Sequence, residues 1–141
     1  MKVDLVVQDA TIVSATGRVR GDLLITAGKV VGMVTPGAGE GANVVAADGL
    51  HLLPGGVDGH VHMMDPGLTE REDFVTGTSA AAVGGVTTIV EHNRSLPFVV
   101  NADLMREKAA YLADRALIDF AQLGGAHPEN VEQLRPCLLY T

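Results

Sequence analysis

His60 and His62 are the residues whose type and spacing most directly indicate chemistry. They close the segment 52–62, whose apolar residues are typical of a β-strand. Side chains on a strand alternate between its two faces, so residues two apart project from the same side. We therefore expect both imidazoles near the C-terminal end of one strand, where they form a usable pair of ligands for a divalent metal ion.

A His-x-His pair also occurs by chance, as strand histidines bonded within a core or exposed at a rim. The context favours the metal interpretation, because the pair ends the first predicted parallel strand and follows Pro54-Gly55-Gly56, where the backbone can bend into a new domain. Asp58 precedes His60 by two residues on the same face, and we expect it to be structural or an outer carboxylate rather than a ligand.

The elements before Pro54 form one group of short predicted strands separated by turn signals such as Ala27-Gly28-Lys29 and Asp48-Gly49. Closely spaced short strands of this kind predict a small antiparallel sheet or sandwich. We therefore predict a small β-sandwich domain over residues 1–53. Its predicted strands are 4–7, 11–13, 22–25, 30–34, 43–46 and 50–53.

After Pro54 the chain alternates between strand and helix three times, which predicts the α/β fold class over residues 54–141. Such βα units begin a barrel or a doubly wound sheet, in which catalytic groups lie at the C-terminal ends of the strands. The predicted strands are 57–63, 86–90 and 117–122. The predicted helices begin at Thr69 with Glu72 closing a capping box, at Asn101, and at Pro128 with Val131 and Leu134 facing inward; the first ends at Gly84-Gly85 and the second at about Asp114.

Composition narrows the classes of partner and location. Apolar residues make up 47% of the 141 residues, so a buried core is expected. The formal net charge is −7 and no Lys/Arg cluster is present, which argues against nucleic acid and anionic membranes as partners. The single cysteine, Cys137, excludes an intramolecular disulfide. With neither a signal-peptide pattern nor a long apolar stretch, we expect a cytoplasmic protein that does not contact a membrane.

Several linked blocks, in this order along the chain, resemble the cyclic amidohydrolases, a family that includes allantoinase, hydantoinase (dihydropyrimidinase) and dihydroorotase. The blocks are 53–62, Asp65-Pro66-Gly67, 73–78 and 80–88. The resemblance covers nearly the whole chain and implies the N-terminal portion of such an enzyme. It implies a partial (β/α)₈ TIM-like barrel, of which this chain holds the first three βα units, preceded by a small β-sandwich.

The resemblance also implies a mechanism, in which two divalent cations, usually zinc, assist hydrolysis of a ring C–N amide bond in a cyclic ureide or imide. His60 and His62 would hold one metal. A carboxylated lysine, two later histidines and a general-base aspartate would complete the site beyond residue 141. No catalytic residue is therefore expected within this chain.

A complete barrel of this type needs about 250 residues, many more than residues 54–141 supply. We therefore expect an N-terminal fragment that is inactive alone, from a parent enzyme that forms homo-oligomers. The ending 135–141 does not resemble a barrel terminus, and a truncated or frameshifted reading frame would explain it.

The substrate is less closely defined by the sequence. Dihydroorotases carry an arginine two residues after the second histidine, whereas this chain has Met64, which disfavours dihydroorotate. Asn93 or Arg94, depending on the register of the loop, is a candidate substrate-binding residue, with a solvated loop as the equal alternative. The segment 119–125 is similar to the allantoinase branch.

Other strand-end residues receive simpler interpretations. His92 could line the pocket but is more readily a loop histidine, His127 is expected beside the start of a helix, and Glu91 is a strand-end acid. Two other functions stay open: a non-catalytic scaffold of the same family, and an independent β-sandwich with an accidental tail. The presence of both His60 and His62 disfavours the first, and the regular βα alternation disfavours the second.

Overall fold

The computed structural model describes residues 3–133. The chain divides into two compact units between Pro54 and Gly55, and each is described by itself. Within residues 3–133, no helix combines the length and the apolar character that crossing a bilayer requires.

The first unit is one five-stranded sheet. Its path runs β3-β2-β1-β4, and β5 also pairs with β1. β1 is antiparallel to β2 but parallel to β4 and β5, so the antiparallel sheet predicted from the sequence is wrong and the sheet is mixed. This sheet forms one layer. A β-sandwich has two layers, so the predicted second layer stays a prediction. The strands are β1 Val3–Ser14, β2 Gly17–Thr26, β3 Lys29–Val34, β4 Gly41–Ala46 and β5 His51–Leu52.

The predicted strands 4–7 and 11–13 are one continuous strand, β1, with a register shift between Val7 and Ala10. Asp9 lies at this irregularity with a φ of 61°. Its backbone N–H donates to the buried carboxylate of Asp22 at 2.8 Å, and that carboxylate also accepts from the N–H of Gly39 at 2.9 Å. Burial acts to raise the pKa of Asp22, but the backbone donors outweigh it and lower that pKa below 3.8.

The second unit is an α/β layer around a three-stranded parallel sheet of order β6-β7-β8. The strand–helix alternation predicted after Pro54 is therefore observed. Helix side chains cover one face of the sheet, where Phe74, Ile89 and Leu112 are fully buried with Met63. The elements are β6 Gly56–Val61, α1 Phe74–Val83, β7 Val86–Glu91, α2 Ala102–Ala113, β8 Asp119–Gln122 and a 3₁₀ helix Pro128–Gln133.

The start of α1 differs from the prediction. The N-cap is Asp73, whose carboxylate accepts from the N–H of Thr76 at 2.8 Å, so the predicted cap at Thr69 is wrong. A second carboxylate fixes this start, because Asp65 accepts from the N–H of Phe74 at 3.0 Å. The capping box failed because Thr69 lies in a turn and Glu72 in an irregular segment, and both precede the helix.

The other helix ends are closer to expectation. Asn101 caps α2 by accepting from the N–H of Leu104 at 2.9 Å, and Gly84 caps the C-terminus of α1, as predicted. Pro128 opens a 3₁₀ helix rather than an α-helix, and Val131 is 58% exposed, so its predicted inward position is wrong. Leu134, Cys137 and the ending 135–141 lie outside the described residues.

Candidate metal centre

The end of β6 brings the rings of His60 and His62 together on one side of the chain. Their ring centroids lie 5.1 Å apart with the ring planes at 84°. His60 is exposed and His62 is half-buried. Asp58 supports this strand end rather than the rings, because its carboxylate accepts from the backbone N–H of His60 at 3.1 Å.

His92 adds a third imidazole to the pair. It directly follows β7, the parallel neighbour of β6, and its ring stacks on that of His60 with 3.7 Å between centroids and 12° between planes. The centroids of His62 and His92 are 5.8 Å apart. The sequence alone favours a loop histidine at position 92, so the place of His92 beside His60 was not predicted. The signal that could have placed it is topological, because the C-terminal ends of neighbouring parallel strands lie at the same edge of a sheet.

One atom at this cluster indicates a ligand or partner outside the described residues. Nδ1 of His62 is buried and has no hydrogen-bond partner among them. Leaving a buried polar atom unpaired costs about 1–3 kcal/mol, so such atoms generally have a partner in the complete site. Two imidazoles also match the nitrogen donors that zinc prefers. The pair therefore fits part of a metal site.

The described part of the chain does not complete such a site. Among residues 3–133, no group of three or more His, Cys, Asp or Glu side chains is arranged to hold a metal ion. Structural and catalytic zinc sites use at least three protein ligands. His60 and His62 are therefore candidates for two ligands of a larger set.

Glu91 lies at the end of β7 on the opposite face from His92, as strand alternation requires. Its carboxylate accepts from Nζ of Lys108 in α2 at 2.7 Å, with 0% and 4% of the two side chains exposed. Burial raises the pKa of Glu91, and the hydrogen bond and charge of Lys108 oppose that rise. Lys108 was not identified from the sequence, because only the packing of α2 on β7 brings it to Glu91.

The two predicted substrate-binding residues lie in the loop after β7. Both ends of the Asn93 amide bind the backbone of Val99: Nδ2 donates to its carbonyl at 3.2 Å and Oδ1 accepts from its N–H at 2.9 Å. Arg94 is exposed. Asn93 thus shapes this loop, and substrate contacts by either residue stay a prediction.

Met64 and His127 are the last two residues that the sequence analysis singled out. Met64 is buried. His127 donates its backbone N–H to Oδ1 of Asn130 at 2.6 Å, beside the start of the 3₁₀ helix as expected.

The chain is similar to known proteins over almost its whole length. No family model matches the chain. An allantoinase from Deinococcus radiodurans is 37% identical over 135 residues, which are 95% of this chain and 30% of that protein. An L-hydantoinase (dihydropyrimidinase) structure from Arthrobacter aurescens has a TM-score of 0.88 and 34% identity over 94% of this chain and 30% of its own. The chain thus spans about 30% of the length of these proteins.

A more distant structure shares the fold. It is an N-acyl-D-glutamate deacylase from Bordetella bronchiseptica, solved in complex with zinc and a phosphonate inhibitor, with a TM-score of 0.63 and 23% identity. The match covers 89% of this chain and 30% of the deacylase chain.

Proposed function

We propose that this chain, which matches the cyclic amidohydrolase family over that family's N-terminal portion, belongs to an enzyme that hydrolyses a ring C–N amide bond with a divalent metal. The observation that carries the proposal is the His60–His62 pair, with ring centroids 5.1 Å apart at the end of a parallel strand. The identity to an allantoinase over 95% of the chain supports the same conclusion.

In this proposal His60 and His62 would hold the metal, with zinc the first candidate because a structure of the same fold is a zinc complex. When bound, such a metal makes water a stronger nucleophile near neutral pH and polarises the carbonyl under attack. The chain itself positions the imidazoles. The carboxylate of Asp58 holds the backbone N–H of His60, and β7 supports β6 along its length.

We propose the matching architecture as well. The three strands and intervening helices of the second unit are the first βα units of a TIM-like barrel, and the sheet of residues 3–54 is one layer of a β-sandwich. This proposal is supported by the likeness to the L-hydantoinase structure over 94% of the chain. It would place the histidines at the face of the barrel where active sites of this fold occur.

The substrate class is proposed to be a small cyclic ureide or imide, such as allantoin or a hydantoin. Support comes from the likeness to an allantoinase and to an L-hydantoinase, and from Met64, which offers no charge for a substrate carboxylate. A non-catalytic scaffold is the second candidate, and the close approach of the two imidazoles is the observation against it. Homo-oligomeric assembly, a cytoplasmic location and the absence of nucleic-acid partners stay predictions.

Zinc affinity tests the metal role. We expect titration calorimetry of the 141-residue chain to show zinc binding that His60→Ala or His62→Ala weakens more than about tenfold, since even partners of metal ligands contribute that much. His51→Ala is the matched control, because His51 is an exposed histidine in the first unit. Equal zinc affinity in all four proteins would contradict the metal role.

A chimeric enzyme tests the reaction. Residues 1–141 would replace the matching segment of the Deinococcus radiodurans allantoinase, and allantoin ring opening would be measured by chromatography. We expect hydrolysis in the chimera and its loss in the chimera that carries His60→Ala. Full activity in that variant would show that this chain does not supply a metal ligand.

A further inference from the structure

We infer that His92 is a positioning residue for the candidate metal centre: its ring stacks on His60 and keeps that imidazole aimed for metal binding. The inference rests on the proposed function, because it concerns the orientation of one of the two proposed ligands. His92 itself is not one of those ligands.

The geometry of the stack leaves His60 free to bind. The rings of His60 and His92 are nearly parallel, at 12°, with 3.7 Å between centroids. The lone pair of an imidazole nitrogen lies in the ring plane, so a neighbour on the ring face does not occupy it. The stack therefore restricts rotation of the exposed His60 side chain without blocking its nitrogens.

His92 is fixed at two points and can therefore act as a support. Its backbone N–H donates to the carbonyl of Val61 at 2.9 Å, which continues the pairing of β7 with β6. Its ring Nε2 lies 3.2 Å from the carbonyl oxygen of Gly59. A carbonyl only accepts, so Nε2 is the donor in this hydrogen bond.

The opposite face of β7 fixes the direction in which His92 points. Glu91 is held among buried residues by its 2.7 Å bond to Lys108. Because consecutive side chains on a strand point to opposite faces, this anchor directs His92 towards the side of His60. The ion pair and the stack thus belong to one arrangement of the strand end.

The observed rings disfavour His92 as a third ligand of the same ion. Ligands of a tetrahedral zinc ion approach it from directions about 109° apart, so their rings fan out around the metal. The nearly parallel stack of His60 and His92 does not have that arrangement. Among the described residues, no group of three side chains is arranged around a metal position.

Three substitutions at one position separate stacking from other roles. His92→Ala removes the ring, His92→Phe keeps a flat ring without nitrogens, and His92→Gln keeps a polar group that can reach the Gly59 carbonyl but has no ring. His127→Ala is the matched control, because His127 is an exposed histidine of the same unit. Zinc affinity is measured by calorimetry, and circular dichroism reports the fold of each variant.

We expect His92→Ala and His92→Gln to weaken zinc binding about three- to tenfold, the range that corresponds to loss of one aromatic pair. His92→Phe should restore the affinity to within about twofold of the unsubstituted chain. The imidazole NMR signals of His60 should shift in the Ala and Gln variants without zinc, since the neighbouring ring current is lost. His127→Ala should change none of these values.

Other results overturn the inference in distinguishable ways. If His60→Ala lowers zinc affinity but His92→Ala does not, the proposed metal role stands and the positioning role is wrong. If His92→Phe binds as weakly as His60→Ala, His92 is a ligand and the positioning role is again wrong. If neither His60→Ala nor His92→Ala differs from the unsubstituted chain, the proposed metal role itself fails.

Discussion

At the scale of single residues, Glu91 and Lys108 are under electrostatic constraint, because they form a buried ion pair in the second unit. Both charged groups are almost fully removed from water and are joined at 2.7 Å. Glu91 Oε1 is buried with no partner among the described residues. A buried pair of this kind adds little net stability against an apolar pair, but loss of one partner leaves an uncompensated buried charge.

Lys108→Met tests this constraint, because methionine preserves most of the side-chain volume and removes the charge. We expect the free energy of unfolding at neutral pH to fall by about 3–5 kcal/mol, measured by urea denaturation with circular dichroism. Arg106→Met is the control in the same helix, since the Arg106–Asp103 pair is exposed and its loss should cost at most about 1 kcal/mol.

The loss of stability in Lys108→Met should depend on pH. Burial raises the pKa of Glu91, and removal of Lys108 removes two influences that lower it. A carboxyl group whose folded pKa is raised stabilises the fold below its unfolded pKa and loses that contribution as the pH rises. The deficit of Lys108→Met should therefore shrink as the pH falls towards 4.5, the ordinary value for glutamate. A deficit that grows on acidification would contradict a raised pKa.

At the scale of residues, the sequence predicts those contacts that depend on local spacing. His60 and His62 are neighbours because strand alternation alone brings them together. His92 and Lys108 were not predicted in their observed roles, because their partners are separated from them by 32 and 17 positions, respectively. Only the pairing of β6 with β7 and the packing of α2 supply those contacts.

At the scale of elements, Asp22 in β2 organises the first unit. Its buried carboxylate connects the irregularity of β1 at Asp9 with the segment before β4 at Gly39 through two backbone N–H bonds. The exposed Asp4 makes a comparable bond to the N–H of Ala27 at 2.7 Å, but water can replace it. The two aspartates therefore differ mainly in burial.

Asp22→Asn should lower the free energy of unfolding by about 1–3 kcal/mol at neutral pH, because an amide oxygen is a weaker acceptor and its NH₂ group faces N–H donors. The pKa of Asp22 is lowered below 3.8, so its contribution is present above that value and is lost as the pH falls through the folded pKa. The difference between the two proteins should vanish in acid. Asp4→Asn is the control, and an equal loss there would show that burial is not the cause.

Element types were largely predictable and their pairing was not. Most strand segments of residues 3–54 were predicted as short strand-like runs separated by turn signals. The parallel pairing of β1 with β4 and β5 joins segments far apart in the chain, and no local pattern encodes it. The start of α1 was misplaced because the capping-box pattern of Thr69 and Glu72 precedes the same apolar face as the observed cap, Asp73.

For the whole molecule, the relevant fact is that it spans about 30% of its allantoinase and hydantoinase relatives. Within residues 3–133, β6 and β8 each pair on one side only. Val57 in β6 and Leu117 beside β8 are 70% and 64% exposed. Parallel strands are usually covered on both faces, so these surfaces match a larger enclosing structure.

We expect the 141-residue chain alone, supplied with zinc, to leave allantoin and hydantoin intact. Two imidazoles hold a metal too weakly and incompletely for catalysis, because a catalytic zinc site uses three protein ligands. Chromatography of the ring-opened product measures the reaction, with the Deinococcus radiodurans allantoinase as the positive control. Turnover that disappears in His60→Ala would contradict this expectation.

The central position of β1 also bears on how the first unit is made. During synthesis β1 is translated before β2 and β3, whereas its parallel partners β4 and β5 are translated after them. The nascent chain can close the β1–β2–β3 meander early, while the opposite edge of β1 waits for the rest of the sheet. Non-local pairing of this kind slows folding. A chaperone that binds emerging strands would therefore find its longest-lived target in this unit at the open edge of β1.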